Sequence, residues 1–316
     1  MRYVAHGKRD PEVSEAMIKE ITAACLGWIR IAPAAVLFGA VLACGVLPTV
    51  ARADEVRPCE PDKLATRYPG LAGKTIHIGQ DGVSIPYSYR DPNDPDHVIG
   101  SDADYARAVF ACIGLPVEFN IGIWAGLLPA VASGRIDVMW DALYYTPERA
   151  KMVDYVLYAT ASDAALVHQG NPKNIGSLDD LCGKRALGGL GTIEANLIQE
   201  ISKKCVAAGK DPVDALTYSD KPSAWRMIES DRADVVLTAA AMGDAVVADK
   251  PDVFGIAFRF LPDIKVGTAV AKGNTELEQA IRDAIEATQA SGEIAKIFVK
   301  YKLDPKLILA PVILTK

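Results

Sequence analysis

Two six-residue phrases in this chain echo each other. Ser133-Gly134-Arg135-Ile136-Asp137-Val138 and Ser230-Asp231-Arg232-Ala233-Asp234-Val235 share serine, arginine, aspartate and valine at matching places. Each ends a stretch of helical periodicity and opens a β-branched run, so each joins a helix to a strand. Two similar α/β units in one chain are the simplest architecture that repeats such a joint. The surrounding order agrees. Thr75–Gly79 alternates like a strand, Asp102–Ile113 has helical spacing, and Val117–Ile121 alternates again. A short helix over Leu127–Ser133 and a strand over Ile136–Met139 follow. The order then recurs: strands at Ala164–Val167 and Arg185–Leu187, helices at Thr192–Ala208 and Lys221–Glu229, and a strand at Val235–Leu237. Strands alternating with helices predict parallel pairing within each unit. A strand at Val266–Ala271, an amphipathic helix at Thr275–Ser291 and a shorter one at Ile294–Tyr301 close the chain.

The N-terminal region stands apart from this pattern. Ile31–Leu47 is a 17-residue run without charge, preceded by Arg30 and followed by Ala51-Arg52-Ala53. A positive flank, an apolar core and a small-x-small site are the parts of a secretory signal, with cleavage expected after Ala53. A membrane anchor is the alternative, since the run sits at the lower edge of spanning length. Val41-Leu42-Ala43-Cys44 is a poor lipoprotein box, which makes anchoring through Cys44 the minor option. Met1 and Met17 are both candidate starts. Loss of residues 1–53 removes six basic and four acidic side chains and moves the formal charge from -6 to -8. Four cysteines then remain, an even number that suits disulfides in an oxidising compartment. Cys182 and Cys205 flank one strand–helix unit, which pairs them and leaves Cys59 with Cys112; four free thiols are the alternative.

Several function classes fall away. A net-acidic chain without long Lys/Arg runs does not suit nucleic acid. His77, His97 and His168 are isolated, so no metal site is expected. Gly-x-Ser-x-Gly, His-Glu-x-x-His and Cys-x-x-Cys are all absent from the sequence. Gly70–Thr75 ends like a phosphate loop, but Tyr68 stands where the first glycine is needed. No cofactor motif survives. Gly188-Gly189-Leu190-Gly191-Thr192 joins a strand to a helix, and is either an anion seat at a helix start or a close-packed turn.

Longer motifs point to a family. Ser84-Ile85-Pro86-Tyr87-Ser88-Tyr89 leads to Gly100-Ser101-Asp102-Ala103-Asp104, then to Trp124-Ala125-Gly126-Leu127-Leu128-Pro129-Ala130. Gly134–Val138, Tyr145-Thr146-Pro147-Glu148-Arg149-Ala150-Lys151 and Ser177–Lys184 continue the series. In this order and spacing the chain resembles the family 3 solute-binding proteins of bacterial ABC importers, the polar amino-acid class, over roughly residues 74–303. The resemblance implies a type 2 periplasmic binding protein fold: two hinge-connected α/β lobes that close on a small ligand. Lobe I would hold residues 74–161 with 265–316, and lobe II residues 162–264. Residues 54–73 would form a lead-in, and crossovers would lie near Tyr158–Ser162 and Leu261–Lys265.

It also implies a site. The matching arginine, Arg149, forks onto a ligand carboxylate, which a planar guanidinium suits; a surface ion pair with Asp154 or Glu148 is its plain alternative. Thr192, beside Gly191, helps hold the same carboxylate. Trp124 forms a wall, Asp81 meets the ligand's distal end, and Ser84 and Thr238 complete the expected set. Three positions depart from the family. Ala239 stands where an aspartate usually pairs with the ligand ammonium, Tyr144 replaces a small hydroxyl residue, and Asp141 replaces a small residue. Asp141 is the expected substitute partner for the ammonium, with a structural loop-capping role as the alternative. The implied protein is a monomeric periplasmic binder of an amino acid or related small carboxylate, serving a membrane permease. Two rivals accompany it. One is a cyclohexadienyl (prephenate or arogenate) dehydratase-like enzyme using Asp141 as its acid. The other is a ligand-sensing accessory module.

Overall fold

A computed structural model describes residues 58–315. The expected leader, with Cys44 and both candidate starts, lies outside the described residues. The chain enters through a short helix α1 (Leu64–Arg67) and the strand β1 (Ile76–Gln80). A small antiparallel sheet follows, made of β2 (Val83–Ser84), β3 (Ser88–Asp91) and β4 (Asp94–Ile99). Then come α2 (Ser101–Cys112), β5 (Val117–Ile121), α3 (Trp124–Ala132), β6 (Val138–Tyr144) and the long strand β7 (Val153–His168). The second half runs β8 (Arg185–Gly189), α4 (Ile193–Ala207), β9 (Asp214–Tyr218), α5 (Lys221–Glu229), β10 (Val235–Ala239) and α6 (Ala240–Asp249). The long strand β11 (Phe254–Ala271), α7 (Thr275–Ala290), α8 (Glu293–Lys300) and β12 (Ile308–Leu314) complete it.

The twin phrases do the same work in both halves. Asp137 accepts the backbone N–H of His77 at 2.8 Å and returns its own N–H to the His77 carbonyl at 2.9 Å. Asp234 treats Arg185 identically, at 2.8 Å and 2.9 Å. Each aspartate thereby pins the entry of its strand to the neighbouring parallel strand. Each phrase also turns through a left-handed residue, Gly134 in the first and Asp231 in the second. Aspartate tolerates that conformation better than most side chains, which explains how the glycine could be replaced without losing the turn.

One sheet runs through the molecule in the order β5-β1-β6-β11-β7-β10-β8-β9, with β12 also paired to β7. Pairing is parallel at both flanks and antiparallel around β7 and β11. Separate apolar cores lie on the two sides. One packs Tyr105, Phe110, Trp140 and Tyr158 against Ile281 and Ile285; another packs Ile198, Ile201, Val235 and Leu237. The chain thus forms two α/β lobes, and β7 and β11 are the strands that cross between them. Sequence periodicity detects only the ends of these strands, Ala164–Val167 and Val266–Ala271. Strand β7 is buried along nearly all of its 16 residues, and β11 mixes buried, half-buried and exposed positions over its 18 without regular alternation. Where they cross, the register shifts between Phe260 and Ile264, and Leu261 and Asp263 adopt positive φ.

The structure corrects the boundaries elsewhere. Helix α3 begins at Trp124 rather than Leu127, and β6 extends to Tyr144. The alanine-rich α6, β9, β12 and the small sheet were not anticipated. Strand β12 contains Pro311, which breaks the strand pattern; a register shift between Ile308 and Val312 accommodates it. Both expected disulfides are present. Cys59–Cys112 ties the lead-in to the end of α2, and Cys182–Cys205 ties the segment before β8 to α4. Among the described residues no helix is long and apolar enough to cross a membrane.

Candidate functional site

The cleft lies where the ends of β6, β8 and β10 meet the starts of α3 and α4. Arg149 projects into it from the turn after β6. Its N–H donates to Thr146 Oγ1 at 3.2 Å, so the Thr-Pro-Glu-Arg phrase folds back on itself. The guanidinium donates to the Tyr144 carbonyl at 2.6 Å and, across the cleft, to the Gly191 carbonyl at 3.1 Å. Its carbon stands 5.0 Å over the Trp124 ring. Burial pushes its pKa down, offset by neighbouring Tyr155 and Glu194. The surface ion pair is not formed: Asp154 is taken by Lys272 and the Gly273 N–H. Trp124 is held by its own indole N–H, which donates to the Asp141 carbonyl at 3.1 Å.

Facing Arg149 is the start of α4. Thr192 caps this helix, its Oγ1 accepting from Ala195 N–H at 3.3 Å. Gly191 adopts φ +77°, a left-handed turn that aims its carbonyl at Arg149. A Cβ on Gly188 would stand 2.6 Å from Ala195 Cα. The glycine-rich segment therefore serves both proposed ends: it packs helix against strand closely and sets a helix start on the cleft.

Two acids stand at or near the cleft, Glu194 in its lining and Asp163 behind it. Glu194 lines it and is buried; burial raises its carboxyl pKa, while the Thr192 hydroxyl and the Arg149 charge oppose the rise. Asp163, on β7, has no solvent exposure. Burial, and then the Glu194 charge, push its pKa up to about 8 against a hydrogen bond from Tyr144. Tyr144 lines the cleft and donates its hydroxyl to Asp163 Oδ1 at 2.9 Å. Asp163 Oδ2 is buried with no hydrogen-bond partner among the described residues.

The structure thus brings Arg149, Thr192, Trp124, Tyr144 and Thr238 to one cleft, with Gly191 at its edge and Ala239 in its wall. It does not bring Asp81, Ser84 or Asp141 to the lining. Asp81 accepts from the Ser84 hydroxyl at 2.7 and 2.8 Å and from Lys221 Nζ at 2.5 Å. Asp141 is fully buried and accepts the Asp81 N–H at 2.9 Å through Oδ2. Burial and the nearby Asp81 charge raise its pKa well above the carboxylate range. Asp141 therefore fixes the backbone after β1 rather than capping the loop before Thr146, the alternative expected for it. Lys221, Glu194 and Asp163 were not singled out from the sequence. Asp163 had a visible signal, as the one charge between Tyr155 and Val167 in an otherwise uncharged stretch. Lys221 had none. No cluster of three metal-ligating side chains occurs among the described residues.

Two lobes joined by two strands, with a cleft between them and a half-buried guanidinium facing a helix start, are the architecture of two-lobed solute-binding proteins. A model of the bacterial extracellular solute-binding proteins, family 3, matches residues 76–304, and the chain belongs to that family. The L-cystine-binding protein TcyJ of Escherichia coli (strain K12) is 28% identical over 229 residues, covering 72% of this chain and 82% of that one. An ancestral arginine-binding protein bound to arginine superposes with a TM-score of 0.66 at 32% identity, covering 73% of this chain and 99% of that one. The ancestral amino acid-binding protein AncCDT-1, a precursor of cyclohexadienyl dehydratase, superposes at 0.63 with 28% identity, covering 76% and 98%.

Proposed function

We propose that this protein is the substrate-binding component of an ABC importer and holds an amino acid, or a closely related small carboxylate, between its lobes. The observation that carries this is Arg149, a half-buried guanidinium on one lobe whose reach across the cleft ends at the Thr192 helix start on the other. A ligand carboxylate placed between them gains charge-assisted hydrogen bonds from one side and helix N–H groups from the other. Only a ligand that touches both lobes favours closure. Lobe I comprises residues 74–161 and 265–316 and lobe II residues 162–264, hinged where β7 and β11 cross. The closed form is what a membrane permease reads. The chain is exported through a leader ending near Ala53, works as a monomer in the periplasm and carries out no chemical step; the two disulfides suit that compartment.

The test is a thermal-shift screen of the purified protein against amino acids, keto acids and opines. A true ligand raises the melting temperature by linkage. Arg149→Ala is expected to abolish the shift for every carboxylate. A shift that persists in this variant removes Arg149 from the site.

One observation favours a second reading. A dehydratase acting on prephenate or arogenate needs a carboxyl group that keeps its proton near the substrate. Asp141 does not meet the cleft, but Glu194 does, with a raised pKa. Turnover of prephenate or arogenate by the purified protein, lost in Glu194→Gln, would establish that chemistry. No turnover leaves the binding role alone.

A further inference from the structure

We propose that Asp163 is the seat for the ligand's cationic group, so that the cleft selects zwitterionic amino acids over carboxylates that lack the nitrogen. The inference rests on the carboxylate-binding role of Arg149 given above and adds the other half of the ligand.

The argument starts from strand register. Asp163 on β7 lies directly opposite Ala239 on β10 in an antiparallel ladder. Residues directly opposite in such a pair share one face of the sheet, with Cβ atoms roughly 5 Å apart. Ala239 lines the cleft while Asp163 itself is fully buried and outside the lining, so its carboxyl lies on the same sheet face just behind the cleft wall, next to a side chain no larger than a methyl group. Tyr144, also in the lining, grips Oδ1 and leaves Oδ2 buried without a partner. A buried carboxyl with one unused oxygen is costly, and a cation removes the cost.

The resident cations do not do so. Arg149 donates to the Tyr144 and Gly191 carbonyls, and Lys221 donates to Asp81. The cleft thus offers the Arg149 guanidinium as a positive pole and, as a negative one, Glu194 in the lining with Asp163 just behind the wall. Such a pair of poles matches the charge separation of an α-amino acid. Ala239 contributes by being small: a larger side chain there would thicken the wall between the cleft and the Asp163 carboxyl.

The experiment is titration calorimetry with matched pairs that differ only in the α-ammonium: L-glutamine and glutaramate, L-arginine and 5-guanidinopentanoate, L-glutamate and glutarate, L-phenylalanine and 3-phenylpropanoate. The wild type is expected to prefer the amino acid of its best pair by about a hundredfold or more, as a site built around a donor rejects the analogue lacking it. Asp163→Asn is expected to weaken the amino acid at least about tenfold and leave the des-amino partner within about threefold. Returning the carboxylate on the facing strand, in Asp163→Asn/Ala239→Asp, is expected to recover much of the preference. The proposal is overturned if the wild type binds both members of its best pair equally, or if Asp163→Asn weakens both alike. Either result leaves Arg149 as a carboxylate site untouched. Binding of neither member of any pair overturns the carboxylate reading itself, and this inference with it.

Discussion

Asp163 illustrates how one residue can serve binding at the expense of stability. Its pKa, raised to about 8 mainly by burial, lies above that of an unfolded aspartate. The native state then holds more protons than the unfolded state between those two values. Stability contributed by the protonated form is present at low pH and lost as pH rises toward about 8. Asp163→Asn keeps the neutral shape without the titration, so its melting temperature without ligand is expected to exceed that of the wild type most near pH 8, less at pH 5, and to converge with it only at or below about pH 4, the unfolded aspartate pKa. Binding has the opposite sign. A ligand ammonium needs the charged carboxylate, so each molecule bound below about pH 8 displaces a proton. The titratable groups around Asp163 are Glu194 from α4, Tyr144 from β6, Tyr218 from β9 and Tyr87 from the segment between β2 and β3. Amino-acid affinity is expected to rise between about pH 6 and pH 8, by up to about tenfold per unit, and the slope is expected to vanish in Asp163→Asn. A flat profile in the wild type would dissociate Asp163 from the ligand.

The start of α4 shows how tightly an element must be set before a site can exist. Gly188 lets β8 and α4 approach until Ala195 is in contact, which places Thr192 and Glu194 on the cleft. Gly188→Ala puts a methyl 2.6 Å from Ala195 Cα and 2.7 Å from its nitrogen, both backbone atoms. Overpacking of this kind costs about 1–3 kcal/mol. The loss, read by urea denaturation, is expected to come with weaker ligand binding because the helix start moves. Gly126, inside α3, has no atom within 4 Å of an added Cβ. Gly126→Ala is expected to change stability in the opposite direction, by up to about +1 kcal/mol, through helix propensity alone. Equal effects at the two glycines would show that contact with Ala195 is not what Gly188 provides. Most of this element scale was legible in the sequence. The helix over Lys221–Glu229 has its expected bounds, α4 is within a residue at each end, and the helix-to-strand phrases fall where the joints are. The long crossing strands were not, because near-continuous burial in β7 and an irregular mix of buried and exposed positions in β11 leave no period that reveals a strand.

Across the whole molecule, Lys221 at the start of α5 meets Asp81 after β1 at 2.5 Å, with side chains only 12% and 4% exposed. The two residues belong to opposite sides of the hinge proposed above, so the bridge acts as a latch on closure. Removing one partner of a buried pair leaves the other charge uncompensated and costs about 3–5 kcal/mol. Lys221→Ala is expected to shift the lobes toward an open arrangement, seen as a larger radius of gyration in solution scattering, and to weaken ligands that need the closed form. Unchanged scattering would reduce the bridge to local packing. The sequence by itself determined the two-lobe α/β order and the Cys182–Cys205 pair through local pattern, with Cys59–Cys112 left by elimination. The expectation that Arg149, Thr192, Trp124, Tyr144 and Thr238 meet at one cleft came from the resemblance to the family, whose motifs each lie within one segment. Only the tertiary structure decided that Asp141 props the backbone of Asp81, that Lys221 spans to Asp81, and that Asp163 faces Ala239 across a strand pair. Periodicity records which face of an element is buried; it holds no record of which distant residue that face will meet.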